Sequence, residues 1–98
     1  MSYLGLISIT PIGSKESVSS DVAKAVKILS ENKINYQLTS MGTIIETEDL
    51  DQLLDLVKKM IAKVEEDNNR VSVILKIDCR KGHSNRMKSK VESVLQKL

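Results

Sequence analysis

The stretch INYQLTSMGTIIET, residues 34–47, predicts a β-hairpin in the middle of the chain. In its first half, Ile34, Tyr36 and Leu38 alternate with polar residues, which is the pattern of a strand with one buried face. Gly42 then permits a tight turn, and a second run of β-forming residues follows it. The patterns on either side of this hairpin indicate how the sheet is completed.

A strand and a helix are predicted before the hairpin. The segment YLGLISITP, residues 3–11, is rich in β-branched residues and closes with Pro11, so it favours a strand that ends in a loop. After this loop, apolar residues recur at helical spacing, which predicts an amphipathic helix. Its apolar positions are Val18, Val22, Ala25, Val26 and Leu29.

A helix, a strand and a third helix are predicted after the hairpin. Asp49, with Gln52 three residues later, resembles a capping box at the start of the second helix. The apolar stripe of that helix is predicted to be Leu50, Leu53, Leu54, Val57, Ile61 and Val64. Residues 71–78 alternate as a last strand, and residues 87–98 show the spacing of a shorter helix. Because two right-handed βαβ crossovers surround the hairpin, we expect an α+β fold, a ferredoxin-like βαββαβ sandwich with an additional C-terminal helix.

The composition of the chain excludes several classes of protein. A chain of 98 residues predicts one domain, residues 1–98, and its 41% hydrophobic and 29% charged residues exclude a disordered chain. The net charge of +2 comes from interspersed signs, so nucleic acid is not an expected partner. The lone Cys79 excludes an internal disulfide. There is no signal-peptide pattern and no apolar run long enough for a membrane span, so a cytoplasmic location is expected.

Strand alternation divides the side chains between two faces of the sheet. Helices in this architecture cover one face. The side chains expected on the helix side are Ile7, Ile9, Tyr36, Leu38, Ile45, Val73, Leu75 and Ile77. The other side, called here the open face, is expected to carry Leu4, Leu6, Ser8, Thr10, Asn35, Gln37, Thr39, Ile44, Glu46, Ile74 and Lys76. Its aliphatic patch is larger than monomers usually expose, so we expect two subunits to pack sheet against sheet. The alternative is that the third helix folds over this face.

The carboxylate of Glu46 is the sharpest candidate for chemistry on the open face. Polar groups sealed in an interface need partners, and a small polar heterocycle could supply them. A carboxylate can accept two hydrogen bonds from an amino group and an adjacent protonated ring nitrogen, as in an aminopyrimidine. The alternative is a solvated residue at the end of the strand, or an ion pair with Lys76.

The segments ITPIG (residues 9–13), YQLTSMGTIIE (residues 36–46) and RVSVILKIDCR (residues 70–80) resemble the small thiamine-binding proteins. The similarity runs over nearly the whole chain, and the MGT-x-x-E stretch is its most specific part. The resemblance implies a ferredoxin-like subunit that dimerises through its sheets and commonly forms tetramers. It also implies non-catalytic binding of thiamine or of its hydroxymethylpyrimidine half, with no cofactor.

The positions that match the family are Pro11, Gly13, Ser17, Val18, Met41, Gly42, Thr43 and Glu46. In this interpretation Gly13 lets the backbone approach a ligand, Ser17 presents a hydroxyl beside the N–H groups of the first helix, and Glu46 binds the aminopyrimidine. Strand alternation alone adds four residues to the predicted ligand-binding set: Ser8, Thr10, Gln37 and Lys76. A lysine beside a thiazolium cation would be unfavourable, so Lys76 favours the pyrimidine half or a phosphate as its neighbour.

Other classes of function find less support in the sequence. RNA-binding modules of this fold stack bases on strand aromatics, and the central strands offer none beyond Tyr3. Cys79 and His83 form only a Cys-x-x-x-His pair, so no metal site is expected. Since His83 has no nucleophile or acid nearby in sequence except Asp78 and Ser84, no catalytic residue is expected.

Two alternatives stay open at this point. The basic residues at 80–88 could bind an anion such as phosphate, although such clusters are more often solvated surface. The main alternative function is a regulatory or scaffolding oligomer whose sheet interface is purely structural.

Overall fold

A computed structural model describes residues 1–13 and 18–98. Its elements follow the expected order. They are β1 (Ser2–Pro11), α1 (Ser19–Glu31), β2 (Asn35–Thr39), β3 (Gly42–Thr47), α2 (Leu50–Glu65), β4 (Val71–Arg80) and α3 (Arg86–Leu95). The hairpin is therefore confirmed as β2 and β3, and Asp49 is confirmed as the N-cap of α2, where its side chain accepts a hydrogen bond from the amide of Asp51.

The four strands form one sheet in the order β2-β3-β1-β4, with every neighbouring pair antiparallel. The central strand β1 pairs with β4 over its whole length, from Ser2 opposite Arg80 to Pro11 opposite Val71. Its pairing with β3 is shorter and ends at Ile7 opposite Thr43. Two helices between such strands give the ferredoxin-like α+β sandwich that the sequence predicts.

The core lies between the sheet and the two helices α1 and α2. It consists of Ile7, Ile9, Ala25, Ile28, Leu29, Ile45, Leu53, Leu56, Val57, Met60 and Val64. The predicted stripe of α2 is partly wrong, because Leu54 is 40% exposed whereas Leu56 and Met60 are buried. The helix packs against both α1 and the sheet, so the direction of its buried face depends on two neighbours and not on hydrophobicity alone.

Leu38 lies on the helix side of the sheet, as the alternation predicts, and borders α1. It is nevertheless 59% exposed, because β2 is an edge strand that α1 covers incompletely. On the open face, Leu6 and Ile74 are 38% and 69% exposed. Helix α3 begins over this face and covers its end at Glu46. Because Leu6 and Ile74 stay exposed, the alternative in which α3 folds over the whole face is wrong.

Across residues 1–13 and 18–98, every helix is too short or too polar to span a membrane.

Candidate functional site

A cavity of about 210 Å³ lies where β1, the β2–β3 turn and the first half of α1 meet. We call it the turn cavity. Its polar border is Ser8, Thr10, Thr39, Ser40 and Thr43. Its apolar wall includes Ile7, Ile9, Val18, Val22, Val26, Leu38, Met41 and Met60. None of the described residues that line it carries a charge, so the described lining is polar at its border and neutral throughout.

The β2–β3 turn has a fixed conformation that forms one wall of the turn cavity. The hydroxyl of Thr39 donates to the carbonyl of Gly42 at 2.8 Å and accepts from the amide of Met41 at 3.2 Å. Gly42 has φ +155°, and a Cβ placed there would lie 2.9 Å from the carbonyl oxygen of Ile7. The turn therefore needs glycine because it packs directly on the backbone of β1.

The end of β1 offers backbone groups to the turn cavity. On the edge of β1 that pairs with β3, the pairing ends at Ile7, because β3 begins at Gly42. Beyond Ile7 no described strand pairs with this edge of β1. The amide of Ile12 donates to the carbonyl of Arg70, the residue before β4, so Ile12 directs its backbone groups toward β4. Successive residues of a strand direct their backbone groups to opposite neighbours. Ile9 is three residues before Ile12, so its N–H and C=O point away from β4, toward the turn cavity. A donor and an acceptor side by side match the edge of an aminopyrimidine.

Thr43 is the predicted residue most directly placed in the turn cavity. It shares its face of β3 with Ile45, which belongs to the core, and it is only 4% exposed. Ser8 and Thr10 alternate with Ile7 and Ile9, so β1 borders the cavity at these two positions with its backbone.

The structure brings six predicted residues together at the turn cavity and leaves the others apart. The six are Ser8, Thr10, Val18, Met41, Gly42 and Thr43. Pro11 is buried at the end of β1, and Gly13 is exposed, with open space where a Cβ would stand. Ser17 lies outside the described residues. Gln37 and Lys76 are exposed on the open face, across the sheet from the turn cavity.

Glu46 also lies on the open face, where its carboxylate is occupied by protein donors. Oε2 accepts hydrogen bonds from the hydroxyl of Ser2 at 2.8 Å and from the amide of Arg86 at 2.6 Å. Oε1 accepts from the amide of Met87 at 3.0 Å. These are the first two amides of α3, whose own N-cap, Asn85, makes no side-chain capping bond. Glu46 thus satisfies helix donors that would otherwise lack a partner.

The side chain of Arg86 completes this cluster. It is 2% exposed, and its guanidinium donates to the hydroxyl and carbonyl of Ser2 and to the carboxylate and carbonyl of Asp78. Lys90 also donates to the Asp78 carboxylate, at 2.9 Å. We call Ser2, Glu46, Asp78, Arg86 and Met87 the Glu46–Arg86 cluster. It anchors α3 to the sheet.

Both carboxyl groups of the cluster have lowered pKa values. Burial alone would raise the pKa of Glu46, but hydrogen bonds from Met87, Arg86 and Ser2 outweigh it and hold the pKa below the ordinary value of 4.5. Hydrogen bonds from Lys90 and then Arg86 hold the pKa of Asp78 below 3.8. Both groups are therefore anionic at neutral pH. The role of Glu46 as a ligand residue stays a prediction, since its three acceptor contacts in this structure are internal.

Sequence reasoning missed the contributions of Ser2, Arg86, Thr39 and Ser40. Thr39 and Ser40 had a usable signal, since hydroxyl residues at 39, 40 and 43 surround Gly42, the glycine at the start of β3. Ser2 and Arg86 had none, because they are 84 positions apart and meet only through the sheet and α3.

Comparison with known proteins identifies the family. The sequence model of the family described as "Thiamine-binding protein" matches residues 6–95. The UPF0045 protein of Methanothermobacter thermautotrophicus is 38% identical over 94 residues, which cover 94% of this chain and 95% of the relative. YqgV of Bacillus subtilis, also a UPF0045 protein, is 38% identical over 99 residues, covering 94% and 93%.

Solved structures show the same fold. A hypothetical protein of Methanocaldococcus jannaschii superposes with a TM-score of 0.86 at 33% identity, covering 95% of both chains. A proposed thiamine biosynthesis/salvage protein of Thermotoga maritima superposes with a TM-score of 0.79 at 18% identity, covering 94% of this chain and 99% of that one. The second likeness bears on the fold alone. The match of the family model over residues 6–95, together with relatives 38% identical over 94% of the chain, shows that this chain belongs to the thiamine-binding protein family.

Proposed function

We propose that this protein binds thiamine, or the hydroxymethylpyrimidine half of thiamine, without catalysing a reaction on it. The observation that carries the proposal is the turn cavity, where a buried threonine and the backbone edge of Ile9 face a small space with no described charge. The family supports a thiamine-type ligand. We also propose that the protein acts in the cytoplasm and needs no cofactor for binding.

The position proposed for the pyrimidine differs from the one expected from sequence. A ring that makes two hydrogen bonds to Glu46 on the open face would have to displace at least one protein donor, because Ser2, Arg86 and Met87 already use three of the roughly four acceptor positions of the carboxylate. Leaving buried helix donors without an acceptor costs on the order of 1–3 kcal/mol each. A ring in the turn cavity disturbs none of these bonds. We therefore assign the pyrimidine to the turn cavity and Glu46 to the support of α3.

Isothermal titration of the purified protein with thiamine and with hydroxymethylpyrimidine tests this proposal. Thr43→Val keeps the shape of the side chain and removes its hydroxyl, so affinity for both compounds should fall about tenfold. The matched control is Thr47→Val. Thr47 is on the same strand, is 5% exposed, and bonds to the carbonyl of Asp49 outside the turn cavity. Normal binding by Thr43→Val would refute the assignment of the pyrimidine to this cavity.

The exposed apolar surface favours assembly as part of the function. Besides Leu6 and Ile74 on the open face, α3 exposes Val91, Val94 and Leu95 by 54–60%. We propose that this surface is covered in a homo-oligomer, a dimer or a tetramer, through packing of the open faces. Lys76 and Gln37 would then lie at or near the subunit interface.

The second candidate function, a purely structural or regulatory oligomer, rests on the same surface. Native mass spectrometry separates it from ligand binding because it reports assembly and occupancy together. An oligomer that gains about one thiamine or pyrimidine per subunit supports the first proposal. An oligomer that gains neither compound supports the second.

A further inference from the structure

A groove continues from the turn cavity along the side of α1. It runs between α1 and the edge strand β2 and has a volume of about 800 Å³. The cavity and the groove share Val18, Val22, Val26 and Leu38, so they form one continuous depression. We call the second part the α1–β2 groove. A molecule with one ring in the turn cavity would extend directly into it.

Tyr36 makes the α1–β2 groove different from an ordinary apolar furrow. The chain has two aromatic residues, Tyr3 and Tyr36, and Tyr36 is the one that lines the groove. Its side chain is half-buried and packs against the core. Packing on one side holds the ring in place while the groove keeps part of it accessible. A fixed aromatic face of this kind attracts flat rings and cations.

The charged side chains among the described residues that line the groove do not oppose a cation strongly. Among the described residues that line it, the charged one is Lys27, whose side chain is 74% exposed. Its Nζ lies 3.8 Å from the carboxylate of Glu31, which offsets the charge. The α1 side of the groove combines the apolar residues Val18, Val22, Ala23 and Val26 with two serines, Ser19 and Ser30, which carry no charge. A delocalised cation is weakly hydrated and loses less on entering such a groove than an ammonium does.

We infer that Tyr36 in the α1–β2 groove binds the second ring of the ligand, and that this ring is a flat, delocalised cation such as the thiazolium of thiamine. The inference rests on the proposed function, since it needs the first ring to occupy the turn cavity. It assigns the two halves of the ligand to two parts of the site. The turn cavity recognises the polar pyrimidine, and Tyr36 adds affinity only for the complete molecule.

Substitution of Tyr36 tests this division of the site. Titrations with thiamine and with hydroxymethylpyrimidine are compared for the wild-type protein, Tyr36→Leu and Tyr36→Phe. Tyr36→Leu should weaken thiamine binding by about three- to tenfold, the range expected for loss of a cation–π contact. It should leave pyrimidine binding unchanged, which also shows that the variant is folded. Tyr36→Phe keeps the ring and should bind both compounds as the wild type does.

Charge variants at Ala23 give a second test that does not disturb the core. Ala23 is an exposed residue of α1 that lines the groove. At low salt, Ala23→Glu should tighten thiamine binding and Ala23→Lys should weaken it, each by about two- to threefold. Neither variant should alter binding of the uncharged pyrimidine.

The outcomes separate this inference from the proposed function. If the wild-type protein binds neither compound, both are overturned. If it binds hydroxymethylpyrimidine as tightly as thiamine, or if Tyr36→Leu weakens both compounds equally in a folded protein, only the inference about Tyr36 is overturned. Equal thiamine affinities for Ala23→Glu and Ala23→Lys would show that the groove does not hold the cation.

Discussion

The carboxylate of Glu46 lies 2.6 Å from the backbone nitrogen of Arg86, across 40 residues of sequence. The same carboxylate accepts from Met87, so one side chain of β3 satisfies the first two amides of α3. A charged acceptor at the start of a helix also interacts favourably with the helix dipole. Glu46 therefore determines where α3 begins on the sheet.

We predict that Glu46→Gln lowers the free energy of unfolding by about 1–3 kcal/mol. The glutamine amide presents an N–H₂ group where Glu46 presented a second acceptor, so at least one donor of Arg86, Met87 or Ser2 loses its partner. Urea unfolding followed by circular dichroism measures the change. Glu48→Gln is the control, since Glu48 is exposed and follows β3 by one residue. Equal stability of the two variants would contradict the supporting role of Glu46.

We predict that the protein loses stability in acid. The folded-state pKa values of Glu46 and Asp78 lie below their ordinary values of 4.5 and 3.8, so the unfolded chain binds protons more readily. Their contribution to the free energy of unfolding is complete above pH 4.5 and falls as the pH drops through the folded-state values. Urea midpoints from pH 6 to pH 2.5 measure this. For the Glu46→Gln variant, the urea midpoint should fall less steeply as the pH drops. A fall as steep as that of the wild-type protein would exclude Glu46 as a source of the acid sensitivity.

We predict that Gly42→Ala disturbs the turn cavity. The added Cβ would meet the carbonyl oxygen of Ile7 at 2.9 Å, and backbone cannot move aside as a flexible side chain can. The turn and β1 should separate, with a loss of about 1–3 kcal/mol of stability. Gly13→Ala is the control, because a Cβ at Gly13 meets nothing within 4 Å. Thermal melting together with thiamine titration measures both effects, and a Gly42→Ala protein that melts and binds normally would contradict the close packing of Gly42 on Ile7.

We predict that Leu6→Asp disrupts the oligomer. A carboxylate without a partner in an apolar interface is strongly unfavourable. Leu54→Asp is a closely matched control, since Leu54 is 40% exposed on α2 and Leu6 is 38% exposed on the open face. Light scattering should find a smaller particle for Leu6→Asp only. If both variants keep the mass of the wild-type assembly, the open face is not the subunit interface.

Local patterns predicted the strands well because alternation is a local property. Ile7 and Ile9 are buried as their spacing indicates. The hairpin forms where it was predicted, but its turn is Ser40-Met41, and Gly42 is the first residue of β3, paired with Thr39. The orientation of α2 was harder to predict, because Leu54 and Leu56 are equally apolar and only packing against α1 and the sheet decides which is buried.

The candidate site also has one part that local sequence predicts and one part that it does not. The turn cavity was partly predictable, since Met41, Gly42 and Thr43 are adjacent in sequence and remain adjacent in space. The internal partners of Glu46 were not predictable. Arg86 is 40 residues away in sequence, with α2 and β4 between the two residues, and only the tertiary fold brings them together. A sequence shows that a carboxylate is present but does not show which donors surround it.

The Glu46–Arg86 cluster also constrains the order in which the chain folds. Its members come from β1, β3, β4 and α3, so the acceptors for α3 exist only when three strands are already paired. Short helices are marginal in water without tertiary contacts. Helix α3 should therefore dock last and open first. Native-state hydrogen exchange would then show the amides of Arg86 and Met87 exchanging through local opening, well before the amides of β1 in the centre of the sheet.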